Sequence, residues 1–279
     1  PYTGKELDYI KIAVENQKIC GDGEFTAKCN QWLEDKTGTK KALLTTSCTH
    51  ATELAAILAD IKPGDEVIMP AYTFVSTADA FVLRGAVPVF VDIDIPSYNL
   101  DVNKLEEALS DKTKAVFLAH SLGNPFDLGT ISEFCKKYNL WLLEDNCDAL
   151  GGEYEINGVV KKTGTIGDIG TSSFYPAHQM TMGEGGAVYT DNPLLNKIIR
   201  SMRDWGRDCV CSGGQDNLCG HRFSGQFGTL PEGYDHKYVY SHIGYNLKIT
   251  DMQAAIGVAQ LKKLPEFVKR RRENWDYLR

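Results

Sequence analysis

The sequence has no long apolar segment and no excess of positive charge. No apolar run approaches the roughly 20 residues that span a bilayer. The first ten residues, PYTGKELDYI, contain neither a basic n-region nor an apolar h-region. The net charge of −7 argues against a broad nucleic-acid-binding face. These absences predict a cytoplasmic protein that binds neither a membrane nor a nucleic acid.

The distribution of apolar residues predicts the fold class. The chain has 279 residues, 43% of them hydrophobic, which is enough to bury a large core. Short apolar runs alternate with amphipathic segments, and this alternation is typical of an α/β fold. We expect a mixed, mostly parallel sheet of about seven strands between helices. The predicted strands are 41–46, 66–71, 88–93, 114–120, 140–145, 170–175 and 186–190.

Helical periodicity is present in three segments between these strands and in two longer segments that bracket them. The shorter predicted helices are 51–61, 103–111 and 130–138, and the longer ones are 4–16 and 250–278. The last helix is highly charged and has no terminating signal before residue 279. We therefore expect residues 1–279 to form the large domain of a longer protein whose C-terminal domain is absent.

Residues 204–240 differ in composition from the rest of the chain. They are rich in glycine, polar residues and aromatics, and they show no sustained period. A long irregular segment within a compact domain is usually functional or disordered, and the aromatics and cysteines argue against disorder. We interpret this segment as a cysteine-rich functional insertion.

Polar residues stand where predicted strands end. Asp145 ends the strand 140–145, and Thr49 follows the strand 41–46 at the start of a helix. In open α/β sheets the ligand binds at the carboxyl ends of the strands, and a helix N-terminus attracts anions. Helix capping would explain both residues equally well, so each alone is a weak signal.

Several motifs together resemble one known family. The segments TTSCTHATELA, PGDEVIMPAYTFVSTADAFVLRGAVPVFVDID, LLEDNCDALGG, SSFYPAHQMTMGEGG and GYNLKITDMQAA follow, in order, the pattern of the vitamin B6-dependent nucleotide-sugar aminotransferase and dehydratase family (DegT/DnrJ/StrS type). The resemblance implies an aspartate aminotransferase-like (type I PLP) fold. It also implies a homodimer with interfacial sites, in which Asn246 reaches the cofactor phosphate of the partner subunit.

The resemblance implies a role for five further residues. Asp145 pairs with the pyridine nitrogen of the cofactor, and Phe74 stacks on its ring. Thr49 and His50, mainly through backbone groups, and Ser173 hold the cofactor phosphate.

His178 departs from the aminotransferase pattern of the family. Aminotransferases carry a lysine at the end of SFxxxK, whereas this chain has SFYPAH. Imidazole cannot form the imine that lysine makes with pyridoxal phosphate, but it can move protons near neutral pH. The resemblance therefore implies pyridoxamine 5'-phosphate held non-covalently and His178 as a general base, as in the 3-dehydratases of the family.

Three cysteines crowd into the segment CVCSGGQDNLC, namely Cys209, Cys211 and Cys219. Zinc sites more often use C-x2-C pairs, and disulfides are rare in the cytoplasm. The segment resembles the iron–sulfur segment of the 3-dehydrase branch that acts on CDP-linked 4-keto-6-deoxyglucose. That resemblance implies a [2Fe-2S] cluster, for which four thiolates are needed, with Cys147 as the fourth ligand.

The motifs together predict C3 deoxygenation of a nucleotide-linked 4-keto-6-deoxyhexose, CDP-linked by resemblance, for surface polysaccharides. The cluster would receive electrons from a separate NADH-dependent iron–sulfur flavoprotein reductase. Two alternatives stay open. One is a cluster-free dehydratase that uses glutamate. The other is an aminotransferase, which residues 1–95 resemble more closely. A catalytically idle scaffold that binds nucleotide sugars is the non-enzymatic alternative.

Overall fold

A computed structural model describes residues 4–211 and 215–279. Residues 212–214 of the predicted cluster segment and residues 1–3 lie outside the described residues. The helices are α1 (Glu6–Glu15), α2 (Glu24–Thr37), α3 (Cys48–Leu58), α4 (Ser76–Val82), α5 (Leu128–Tyr138), α6 (Pro193–Arg203) and α7 (Asp251–Leu278). The strands are β1 (Lys41–Thr45), β2 (Glu66–Pro70), β3 (Val87–Val91), β4 (Thr113–Ala119), β5 (Trp141–Asp145), β6 (Glu153–Ile156), β7 (Val159–Lys162), β8 (Ile169–Ser173) and β9 (Gly186–Thr190).

The main sheet has seven strands in the order β1-β9-β8-β5-β4-β2-β3. Strand β9 runs antiparallel to both of its neighbours, and the other neighbouring pairs are parallel. The predicted mixed, mostly parallel sheet is therefore confirmed. Strands β6 and β7 form a separate two-stranded hairpin.

The strands read as continuous apolar runs because helices cover both faces of the sheet. Leu43 packs in a core cluster with residues of α3, such as Leu54. Its neighbour Leu44 points to the opposite face and packs with α2 and α7, for example with Phe25 and Ala254. Side chains alternate between the faces of a strand, so both faces need apolar residues. Full burial of each such side chain contributes about 1.5–3 kcal/mol.

Helix α7 is fixed to the rest of the domain at its first residue. Asp251 is buried and accepts hydrogen bonds from the backbone N–H groups of Phe25 at 3.2 Å and Thr26 at 2.8 Å. These are N–H groups of the first turn of α2 that have no partner within the helix. Thr250 and Gln253 complete a capping box at the start of α7. The contact sets the direction in which α7 runs toward the site described below.

The predicted helix at 103–111 is wrong. The structure has only a 3₁₀ turn at Val102–Lys104, followed by turns. Leu105 is buried, and Ala108 and Leu109 pack beside it in the same core cluster. The apolar spacing that indicated a helix therefore serves to bury consecutive turns.

Within the described residues, each helix is too short or too polar to cross a bilayer.

Candidate active site

A cavity of about 410 Å³ opens at the carboxyl ends of the parallel strands. It lies where β5 and β8 end and where the N-terminus of α3 follows β1. Its lining residues are Ser47, Cys48, Thr49, Phe74, Ser76, Asp145, Cys147, Asp148, Ser173, Tyr175, His178, Glu184 and Gly185. This is the edge at which an open α/β sheet binds its ligand.

Close approach of β9 to α3 shapes one wall of this cavity. Gly186, the first residue of β9, pairs with Thr45 and with Ser173 in the sheet. A Cβ atom at this position would collide with the backbone of Ser47 and Cys48. Glycine is therefore required here to bring the end of the sheet against the helix N-terminus.

Asp145 ends β5 with its carboxylate in the cavity wall, and only 7% of the residue is exposed. Its Oδ1 accepts hydrogen bonds from Cys147 N at 3.0 Å and Thr171 Oγ1 at 3.5 Å, and Cys48 Sγ lies 3.7 Å away. These three contacts, made by described residues, fall on Oδ1. Oδ2 therefore remains available to a ligand in the cavity.

Burial raises the pKa of the Asp145 carboxyl. A buried carboxylate is costly in the absence of a cationic partner, and a protonated ring nitrogen would supply that partner. The environment of Asp145 thus favours a heterocyclic cation beside Oδ2.

His178 lies in the turn after β8 and faces the same cavity. Its Nδ1 is 2.9 Å from Asp148 Oδ1, and 18% of the imidazole is exposed. A carboxylate bound at Nδ1 selects the tautomer in which Nδ1 carries the proton. The arrangement leaves the lone pair of Nε2 to accept a proton.

The backbone of this turn is anchored from helix α7. Arg271 Nη2 donates to the carbonyl of His178 at 3.0 Å, and its Nη1 donates to the carbonyl of Gln179 at 3.2 Å. The Gln179 side-chain amide donates in turn to the carbonyl of Asp148. Arg271 therefore positions the residue that the sequence singles out as the base.

The N-terminus of α3 forms the polar end of the cavity. Thr49 lines it, and so does Ser173 at the end of β8. His50 does not line it, because its backbone N–H donates to Ser47 Oγ at 3.1 Å and its Nδ1 contacts Thr46 Oγ1 at 2.5 Å. In the described geometry the N-cap serine, rather than a ligand, receives the N–H of His50. Hydroxyl groups and the remaining N–H groups at this helix end suit a phosphate.

Phe74 lines the cavity and is 74% exposed, which is unusual for a large aromatic side chain. An exposed ring at a cavity mouth offers a flat apolar face to a bound heterocycle. The donor set therefore fits a B6 phosphate, with a carboxylate for the ring nitrogen, a flat side chain for the ring and an anion site for the phosphate.

Asn246 lies outside this cavity. It is exposed, it forms an isolated bridge with Asp204, and its Oδ1 accepts a hydrogen bond from Lys248 Nζ at 3.1 Å. Its expected role toward the partner subunit stays a prediction.

The four predicted cluster ligands occupy two different cavities. Cys209, Cys211 and Cys219 line one small cavity together with His236. Cys147 instead lines the cavity of Asp145 and His178. The structure brings three of the four thiols together and places the fourth in the cavity of Asp145 and His178.

The small cavity contains a chain of polar contacts that the sequence does not predict. Cys219 Sγ lies 3.9 Å from His236 Nδ1, and His236 Nε2 lies 2.8 Å from Asp208 Oδ2. The hydrogen bond to His236 lowers the pKa of the Cys219 thiol. Phe227 stacks on the imidazole with a centroid distance of 4.6 Å. The irregular segment 204–240 thus has a definite arrangement in its described residues.

Asp148 is a residue of the site that the sequence does not indicate. It follows Asp145 by three positions in LLEDNCDALGG and reads there as one more turn residue. The spacing of this motif from SFYPAH, 30 residues along the chain, gives no signal that the two side chains meet.

Residues 2–279 match the model of the DegT/DnrJ/EryC1/StrS aminotransferase family. The chain is 52% identical over 265 residues to the lipopolysaccharide biosynthesis protein RfbH of Salmonella typhimurium, covering 92% of this chain and 60% of that relative. It is 49% identical over 250 residues to a dTDP-4-dehydro-2,6-dideoxy-D-glucose 3-dehydratase of Saccharopolyspora spinosa, covering 87% of this chain and 53% of the relative. The chain therefore spans little more than half the length of these two relatives.

Among solved structures, the chain is similar to GDP-4-keto-6-deoxymannose-3-dehydratase with a trapped PLP-glutamate geminal diamine. The TM-score is 0.82 at 29% identity, over 98% of this chain and 69% of the other.

Proposed function

The chain belongs to the DegT/DnrJ/EryC1/StrS aminotransferase family, and from this premise we propose that it is a pyridoxamine-phosphate-dependent 3-dehydratase of a nucleotide-linked 4-keto-6-deoxyhexose. Family membership gives B6-dependent chemistry on nucleotide sugars, either dehydration or amino transfer. The observation that carries the choice between them is His178, which faces the cavity of Asp145 with its Nδ1 held by Asp148. A histidine at this position moves protons but cannot attach the cofactor covalently.

Bound pyridoxamine phosphate supplies an amine for the 4-keto group and a protonated ring that accepts an electron pair. Asp145 holds that ring by its nitrogen, and the charge of the carboxylate keeps the nitrogen protonated. Thr49 and Ser173 hold the phosphate, and Phe74 covers one face of the ring. Pyridoxamine phosphate held by these residues would lie in the cavity that His178 lines.

His178 acts through Nε2 in this proposal. Nε2 accepts a proton inside the cavity and returns it to the hydroxyl at C3 of the sugar, which then leaves as water. Asp148 stabilises the imidazolium that exists between the two transfers. Arg271 holds the backbone carbonyls of His178 and Gln179, so the imidazole needs no large movement between the two proton transfers.

The relatives support glutamate as the source of the amine. The similar dehydratase structure contains a trapped PLP-glutamate geminal diamine. Two of the proteins with similar sequences, described above, are a lipopolysaccharide biosynthesis protein and a deoxysugar 3-dehydratase. We therefore place this chain in deoxysugar synthesis for a surface polysaccharide, and we propose that it regenerates its cofactor from glutamate.

A direct assay tests this function. The protein, loaded with pyridoxamine phosphate, is incubated with CDP-, dTDP- and GDP-linked 4-keto-6-deoxyhexoses, and the products are followed by mass spectrometry and NMR. We expect a sugar that has lost the C3 hydroxyl, and glutamate should sustain repeated turnover. An amino sugar that retains its C3 hydroxyl would instead identify the chain as an aminotransferase.

An iron–sulfur variant of this function is the second candidate, and one observation favours it. Cys209, Cys211 and Cys219 line a single cavity, and the hydrogen bond to His236 lowers the pKa of the Cys219 thiol, which favours the thiolate that a metal binds. The relatives described above give no support to a cluster or to a reductase partner. In this variant a reductase would supply electrons in place of glutamate.

Iron and acid-labile sulfide analysis of anaerobically purified protein decides between these candidates. The second candidate predicts about two irons and two sulfides per chain, and a loss of both in Cys219→Ser. The exposed Cys20 provides the matched control, Cys20→Ser, which should leave the metal content unchanged. A preparation that contains only a B6 chromophore after reconstitution with iron and sulfide would exclude the cluster.

Asp148→Asn tests the positioning of His178. We expect kcat for dehydration to fall about 10- to 100-fold, less than the ~10⁴-fold of a fully buried triad carboxylate. The smaller effect follows from the 40% exposure of the Asp148 side chain, because water screens its charge. KM and cofactor affinity should change little. Unchanged kcat across the pH range would show that Asp148 does not orient the base.

The homodimer, the contact of Asn246 with the partner subunit and the cytoplasmic location stay predictions. So does the division of the protein into one large domain within 1–279 followed by a smaller one.

A further inference from the structure

Three side chains of different chemistry converge beside the cofactor position. Cys147, Asp148 and His178 each offer one ligand atom, and these atoms all lie within 4.8 Å of one another. Among the residues that the structure describes, no other group of three cysteine, histidine or acidic side chains brings its ligand atoms this close together. The three predicted cluster cysteines do not meet that criterion among themselves.

We propose that Cys147, Asp148 and His178 form a binding site for Zn²⁺ or a similar soft divalent metal ion within the cofactor cavity. The donor set of one sulfur, one nitrogen and one oxygen suits Zn²⁺, with bonds of about 2.3, 2.0 and 2.1 Å. Mg²⁺ and Ca²⁺ prefer sites made of oxygen alone. Small rotations of three side chains that are already close would bring their donor atoms onto one ion.

The three residues are held in place by neighbours that do not compete for the metal. Cys147 N donates to Asp145 Oδ1 at 3.0 Å, and the Gln179 side chain donates to the carbonyl of Asp148. Arg271 holds the carbonyl of His178 at 3.0 Å. Each of these contacts uses a backbone group. Among the side-chain donors, His178 Nδ1 and Asp148 Oδ1 contact each other at 2.9 Å, and an ion bound to both atoms would replace that contact. The backbone that carries the three donors is therefore held in place before an ion binds, which favours binding.

The geometry gives a three-ligand site that is open on one side. All three residues are partly buried and all three line the cavity of about 410 Å³. A fourth position, facing the cavity, would be taken by water or by a ligand atom.

One consequence rests on the proposed function. An ion bound at this site engages His178 and Asp148 together, so the imidazole has no free lone pair with which to accept a proton. Saturating Zn²⁺ should then stop dehydration, and a chelator should restore it. A second consequence concerns Cys147, which cannot serve this site and a cluster elsewhere at the same time.

Co²⁺ is the probe for the site, because a cobalt–thiolate bond absorbs in the near ultraviolet. The titration uses the full chain without cofactor or substrate, in a Cys209→Ser/Cys211→Ser/Cys219→Ser background that removes the other clustered thiols. We expect one ion per chain, a charge-transfer band, and loss of that band in Cys147→Ser. His178→Asn and Asp148→Asn should retain the band but weaken binding roughly 10- to 100-fold. A band of the same intensity in Cys147→Ser would overturn the proposal.

A second measurement on the unmodified protein covers the case in which a variant fails to fold. Zn²⁺ should slow alkylation of Cys147, as read from the mass of its peptide, while the exposed Cys20 alkylates at the same rate with and without the metal. Protection confined to Cys209, Cys211 and Cys219 would place the ion elsewhere and refute the site.

These readouts separate the metal site from the proposed function. Cobalt binding with the expected dependence on Cys147, in a protein that never dehydrates a sugar, would support the site and reject the function. Absence of the cobalt band, in a protein whose dehydration activity is unaffected by saturating Zn²⁺, would reject the metal site and support the proposed function.

Discussion

His178→Asn is expected to reduce kcat for C3 dehydration about 10²- to 10⁴-fold, the usual contribution of a general acid–base group. Asparagine retains a polar side chain of similar size but cannot accept a proton near neutral pH. Cofactor affinity should stay within a few-fold of the unmodified protein, because Asp145, Thr49 and Ser173 are unchanged. The measurement is single-turnover loss of the C3 hydroxyl, combined with a separate titration of pyridoxamine phosphate.

Two variants make this result specific. His178→Lys should capture pyridoxal phosphate covalently, so that borohydride reduction leaves the cofactor attached to the peptide that contains residue 178. His221→Asn removes an exposed histidine that does not line the cavity, and it should leave kcat unchanged. Normal dehydration by His178→Asn would reject the base assignment. Absence of covalent capture in a folded His178→Lys protein with bound cofactor would reject the geometry that places residue 178 beside it.

The positions of individual site residues were predictable where a single strand determines them. Asp145 and Ser173 are the last residues of β5 and β8, and the apolar runs that precede them identify those strands. Parallel neighbours in a sheet bring their carboxyl ends to one edge, so the strand ends alone place these side chains in one crevice. The N-terminus of α3 joins them because β1 ends at the same edge.

Contacts between loops were not predictable in this way. The pairing of His178 with Asp148 depends on two turns whose conformations no periodicity encodes. The same holds for Cys147, which the resemblance assigns to a cluster and the structure places beside Asp145. The anchoring of the His178 backbone by Arg271 depends on the direction of α7, which the buried Asp251 sets at the far end of that helix.

Asp145→Asn is the second large effect, and it should appear in cofactor binding. Removing one partner of a buried charge pair costs about 3–5 kcal/mol, and each 1.4 kcal/mol is tenfold in affinity. We therefore expect affinity for pyridoxamine phosphate to fall about 10²- to 4 × 10³-fold. Asparagine can still accept the hydrogen bond from Cys147 N, so the turn after β5 should keep its conformation. Equilibrium titration of the cofactor by fluorescence measures the change.

Stability in the absence of cofactor should change in the opposite direction. Burial raises the pKa of the Asp145 carboxyl in the folded protein above its unfolded value of about 3.9. A carboxyl group whose folded pKa is raised favours the folded state when protonated, and that stability is lost as the pH rises and the group ionises. At pH 7 the neutral asparagine avoids this cost, so cofactor-free Asp145→Asn should melt no lower than the unmodified protein. The rise in melting temperature on adding pyridoxamine phosphate should nevertheless be much smaller in the variant.

Asp168, the residue before β8, offers a matched control because it contacts β5 at the end opposite to Asp145. Its Oδ2 accepts a hydrogen bond from Leu142 N at 2.9 Å, it lies outside the cavity, and burial raises its pKa as well. Asp168→Asn should therefore leave cofactor affinity unchanged. If both variants weakened binding equally, the loss would reflect general disturbance of β5, and Asp145 would have no particular relation to the ring nitrogen. If only Asp145→Asn weakens cofactor binding while raising stability, Asp145 is the specific partner of the ring nitrogen. The burial that destabilises its carboxylate in the cofactor-free protein is then what favours its pairing with a cation.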